Sequence, residues 1–98
     1  MENFRGLQSL THLTINLLND QKIYYNFFLN IDEILPKLQV LCVVNDLSIE
    51  VSEQSMDSLA RLSRLESIRL EVNNNSIRHL IIDKIMKNCK KIKSIHIF

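Results

Sequence analysis

The chain has 98 residues, 46% apolar and 23% charged, which suits one small folded domain and is too hydrophobic for a disordered segment. Its formal net charge of +1 excludes a global pull toward nucleic acid or an anionic membrane. Two cysteines, Cys42 and Cys89, are too few for a disulfide framework, and no apolar run approaches the roughly 20 residues of a membrane span.

The start, Met1 to Gly6, carries an acid and then polar residues where a secretion signal needs a basic start and an apolar run, so the expected location is cytoplasmic or nuclear. Phe4, Leu7 and Leu10 have the spacing of a helix tail or turn, and His12 to Leu17 alternates as a strand. After the turn formers Asn19 and Asp20, the apolar residues Ile23, Tyr24, Phe27, Phe28, Ile31, Ile34 and Leu35 fall on one helical stripe. The aromatic cluster therefore reads as core, and Pro36 ends the helix. Leu38 to Val44 is the second strand, and Leu47, Ile49 and Val51 alternate as a short extended segment.

Ser52 or Ser55 opens a second helix carrying Met56, Leu59 and Leu62, with Glu53 and Asp57 favouring its positive end. Ser67 to Val72 is the third strand. With a single glycine in the chain, the run Asn73-Asn74-Asn75 is the expected place for positive-φ backbone. Ser76 is the expected cap of a third helix bearing Ile77, Leu80, Ile81, Ile85 and Cys89. Ser94 to Phe98 is the last strand. Lys84, Lys87, Lys90, Lys91 and Lys93 crowd the helix end, where positive charge complements the dipole and solvation accounts for the rest.

One pattern organises all of this. Leu10-x-x-Leu13-x-Ile15 recurs as Leu38-x-x-Leu41-x-Val43, Leu65-x-x-Ile68-x-Leu70 and Ile92-x-x-Ile95-x-Ile97, at offsets of 28, 27 and 27 residues. Four copies divide the chain at about 1–17, 18–45, 46–72 and 73–98. One copy cannot bury its own apolar face, so copies stack with strands parallel.

The period and the L-x-x-L-x-L heart resemble the leucine-rich repeat. The helix in each copy resembles the ribonuclease-inhibitor-like class, and Asn88-Cys89-Lys90-Lys91-Ile92-Lys93-Ser94-Ile95-His96-Ile97 is similar to the cysteine-containing repeats of F-box leucine-rich-repeat proteins. The resemblance spans nearly the whole chain. It implies an α/β fold, a horseshoe-shaped solenoid with about four parallel strands on the concave face and helices on the convex face. It also implies substrate recognition for a ubiquitin ligase. The Asn or Cys that often follows each strand in this family is Leu18, Asp46 and Asn73 in the first three copies, so a buried ladder there is expected to be irregular.

In that register three columns of side chains face outward: His12, Val40, Ser67 and Ser94; Thr14, Cys42, Arg69 and His96; Asn16, Val44, Glu71 and Phe98. These twelve are the expected contact surface for a protein partner, since the mixture of apolar anchors, one Arg and flanking charge suits a protein ligand. Catalysis is not expected. Cys42 and His96 stand two strands apart, roughly 10 Å, with Arg69 between them, against the ~3 Å of a nucleophile–base hydrogen bond. His12 and His96 are too far apart to share a metal, His79 lies on a helix, and Gly6 alone makes no phosphate loop. No cofactor, membrane partner or nucleic-acid partner is expected. The chain opens inside one copy and closes on Ile95-His96-Ile97-Phe98. The reading is therefore a section of a longer array, prone to self-association through uncapped ends.

Overall fold

The computed structural model of the chain describes residues 6–17, 26–45, 51–72 and 74–98. Within them, four strands alternate with three helices: β1 (His12–Leu17), α1 (Ile31–Ile34), β2 (Val40–Asn45), α2 (Glu53–Ala60), β3 (Ser67–Leu70), α3 (Asn75–Asn88) and β4 (Ser94–Ile97). The strands form one parallel sheet in the order β1-β2-β3-β4. Parallel neighbours require a crossover, and each helix lies within one.

The repeated sequence pattern becomes a repeated set of backbone bonds. Leu10, Leu38, Leu65 and Ile92 each donate an N–H to the carbonyl three residues back, on Leu7, Leu35, Leu62 and Cys89, at 2.9–3.2 Å. The next copies are then tied together: Gln39 and Val40 donate to Thr11, Glu66 and Ser67 to Gln39, and Lys93 and Ser94 to Glu66. Four identical turns are thus stacked at the N-terminal ends of the strands.

Alternation along the strands separates two faces. Leu41, Val43, Ile68 and Leu70 are buried in one core with Ile31, Ile34, Met56, Leu59, Ile81 and Ile85 from the helices, so the helices all cover the same side of the sheet. The equivalent residues of the outer strands, Leu13, Ile15, Ile95 and Ile97, are only partly buried. Each has a sheet neighbour on one side alone among the described residues.

The helices depart from the sequence reading in three places. The expected long helix before Pro36 is a single turn, Ile31–Ile34, preceded by turns over 26–30; Ile23 and Tyr24 lie outside the described residues. Phe27 and Phe28 pack edge to face at 5.0 Å, with Phe28 fully buried. Positive φ occurs at Asn30 (φ 62°), not at Asn74, whose φ is −102°. Asn30 takes that conformation at the start of α1, where its N–H donates to Ser58 Oγ at 3.0 Å. Asparagine is among the few residues that tolerate it.

Finally, Asn74 rather than Ser76 caps α3, its Oδ1 accepting from the Ile77 N–H at 3.2 Å. Both are good caps, and the chain uses the earlier, which lengthens the helix by two residues. Ser52 does cap α2, accepting from the Ser55 N–H at 3.1 Å. Strand β3 ends at Leu70, two residues before the expected Val72, although the Val72 N–H still donates to the Phe98 carbonyl. Leu47 and Ile49, and the ladder positions Leu18, Asp46 and Asn73, lie outside the described residues.

Candidate functional site

The side of the sheet turned away from the helices is open. The pairing register aligns His12, Val40, Ser67 and Ser94 in one column and Thr14, Cys42, Arg69 and His96 in the next. In the third column Asn16 pairs with Val44. Glu71 and Phe98 lie just past β3 and β4, but Phe98 stays in register with Glu71. Its N–H donates to the Leu70 carbonyl at 3.0 Å and its carbonyl accepts from Val72 at 2.7 Å. His12, Thr14, Asn16, Val44, Arg69, His96 and Phe98 are exposed, and Val40, Cys42, Ser67, Glu71 and Ser94 are half-buried between them.

A cluster stands at the β3–β4 side of this face. The Arg69 guanidinium carbon lies 5.1 Å from the centre of the Phe98 ring, within cation–π range. The His96 ring stacks against the same Phe98 ring, centroids 6.4 Å apart and planes 28° from parallel. Ser94 Oγ and His96 Nδ1 are 3.2 Å apart, a hydrogen bond that orients the imidazole. Phe98 remains 46% exposed and Val44 43% exposed, both large apolar residues on the open side. Arg69 forms no ion pair among the described residues. Its charge is held in position by an aromatic face and left available to an outside carboxylate.

Cys42 and His96 flank Arg69 on either side, so two strand spacings separate them. Among the described residues no group of three or more His, Cys, Asp or Glu is placed to hold a metal ion. No described helix is long and apolar enough to cross a membrane.

Cys89 has a structural position. It is buried, and its thiol points at three carbonyls around the end of α2, those of Leu59, Ala60 and Leu62, at 3.5–3.9 Å. Burial pushes this thiol above its ordinary pKa, keeping it protonated and able to donate.

The lysines grouped by their closeness in sequence do not form one patch. Lys84 reaches back to α2 and pairs with Asp57 at 2.7 Å and Glu53 at 3.8 Å, and the Asp57 hydrogen bond raises its pKa. Lys93 pairs with Glu66 at 3.2 Å. Lys90 donates to the Lys87 carbonyl at the end of α3. The Arg69–Phe98 contact joins residues 29 apart, one period plus two. That diagonal was available in the sequence but no column of equivalent positions contains it.

Compared with known proteins, the chain matches no family model, no curated protein and no solved structure.

Proposed function

We propose that the chain is a leucine-rich-repeat arc and serves as a protein-interaction module, its open sheet face taking the partner. The observation that carries this reading is the Arg69–His96–Phe98 cluster: a guanidinium fixed on an exposed aromatic ring, facing away from the helices and without an ion partner. Aromatic and Arg side chains dominate the energetics of protein interfaces because they desolvate a large area at small entropic cost. A sheet face left open while the helices cover the opposite face supplies a platform for them. The four identical turns and their cross-copy hydrogen bonds support the solenoid part of the reading. By resemblance, the partner is a substrate presented to a ubiquitin ligase.

The test uses immobilised chain in extract of its native cells, with quantitative mass spectrometry of retained proteins. Arg69→Glu and Phe98→Ala are compared with the helix-side substitution Asp83→Lys. A set of proteins kept by the wild type and Asp83→Lys and lost from both face variants is the expected result. The same set surviving every substitution would overturn the reading.

A second reading, a section of a longer array with no activity of its own, is favoured by the half-buried outer strands and by Met86 of α3, 64% exposed. Sedimentation of the isolated chain separates the two: concentration-dependent association favours the second, and a stable monomer removes it.

A further inference from the structure

We infer that the stacked turns form a basic rim, Lys37–Arg64–Lys91, which docks an extended acidic segment of a protein partner. This surface is separate from the open face and stands or falls without it. The three residues occupy the same place in successive turns, one before Leu38, Leu65 and Ile92. Those turns are locked over one another by the Glu66 and Ser67 bonds to Gln39 and the Lys93 and Ser94 bonds to Glu66. Their backbones therefore stand about 4.8 Å apart, the spacing of neighbouring strands. All three side chains are exposed.

Three other cations are matched across copies: Arg61 with Asp32, Lys84 with Asp57, and Lys93 with Glu66. Lys37, Arg64 and Lys91 have no such partner among the described residues, and helix-end complementation accounts only for Lys87 and Lys90. Three aligned cations repel one another, an arrangement that an approaching row of carboxylates relieves. The rim spans roughly 10 Å, the length of about three steps of extended peptide, so carboxylates along one short segment reach all three. No Phe, Tyr or Trp lies in these turns, and the aromatic Phe98 is at the opposite ends of the strands. A single-stranded nucleic acid would find charge here without a base-stacking platform, which favours the acidic peptide.

The experiment is fluorescence anisotropy at low salt with a labelled decamer of glutamate, compared with a thymidine decanucleotide. The wild-type chain is expected to bind the peptide saturably and more tightly than the oligonucleotide, with binding weakening as salt rises. Replacing Lys37, Arg64 and Lys91 together by Ala is expected to weaken peptide binding about tenfold, the sum of three exposed pairs. Lys37→Arg with Lys91→Arg is expected to retain it, which guards against loss through misfolding. Phe98→Ala is expected to leave it unchanged, separating the rim from the open face. Absence of saturable peptide binding, tighter binding of the oligonucleotide, or an equal loss on Lys87→Ala with Lys90→Ala would each overturn the inference.

Discussion

Ser58 is the residue whose removal tests the packing argument most directly. Its side chain is fully buried in α2, yet its hydroxyl serves three groups. It donates to the Gln54 carbonyl at 3.0 Å, accepts from the Asn30 N–H at 3.0 Å and accepts from Arg61 Nη2 at 3.2 Å. Ser58→Ala deletes all three bonds, but their costs differ. The Gln54 carbonyl lies one helical turn back, where the α2 ladder also serves it. Arg61, 54% exposed, is solvated and keeps its 3.0 Å bond to Asp32.

The Asn30 N–H is different. It is held in left-handed backbone at the start of α1, and it loses its side-chain acceptor when the Ser58 hydroxyl is removed. An unsatisfied part-buried donor costs about 1–3 kcal/mol, so about 1.5 kcal/mol is expected for the substitution. With a urea m-value of about 1–3 kcal/mol/M, the midpoint should fall by about 0.5–1.5 M at unchanged m. Equilibrium urea unfolding followed by circular dichroism reads this. A loss below about 0.5 kcal/mol would show that the bond between these copies carries no net stability, and the argument from the buried donor would fail.

Two further outcomes follow from burial. Leu41 is fully buried in β2, and its register partner Leu13 in β1 is only half-buried. Leu41→Ala should therefore cost about 2–5 kcal/mol and Leu13→Ala less than half as much, measured by the same unfolding experiment. For Cys89 the raised folded pKa means that the unfolded thiol ionises first as pH rises. Its contribution is thus complete below about pH 8.5, the unfolded value, and declines as pH climbs toward the folded one. Comparing wild type with Cys89→Ala across pH 7–10 should show the wild type losing stability faster above about 8.5. In native protein, half-buried Cys42 should react with a thiol reagent well before Cys89 does.

Strand positions and their register were legible because a two-residue alternation and a period of 27 to 28 are strong, redundant signals. The columns His12–Val40–Ser67–Ser94 and Thr14–Cys42–Arg69–His96 follow from them directly. What lay hidden was set by competition among near-equal local choices. Asn74 and Ser76 are both good caps by residue type, so the local sequence does not choose between them, and α3 takes the first. The stripe from Ile23 to Leu35 fits a long helix, yet α1 begins only at Ile31. Asn30 sits in left-handed backbone, and its N–H is taken by Ser58 from the next copy rather than by the helix. A contact between residues 28 apart thus overrides local propensity. Sequence proximity also misled: five lysines near the end of the chain read as one cluster, whereas the fold sends Lys84 and Lys93 to acidic partners on the preceding copy.

That redistribution is what gives the formal charge of +1 its meaning. Arg61–Asp32, Lys84–Asp57 and Lys93–Glu66 join residues 29, 27 and 27 apart, so each ties one copy to the next. Exposed pairs contribute little stability singly, but opposite charges placed one period apart favour the stacked register over a slipped one. Once these carboxylates are engaged, they no longer offset the cations that lack a partner. Arg69 on the open face and Lys37, Arg64 and Lys91 along the rim then stand out as local positive features of a nearly neutral chain. The rim lies at the N-terminal ends of the strands and Arg69 on the open face of the same sheet. A single partner reaching both would have to turn the corner from the N-terminal ends of the strands onto the sheet, with carboxylates at both ends of its path. Charge reversal at the rim alone should then weaken the capture of such a partner, while Arg69→Glu on the open face should abolish it.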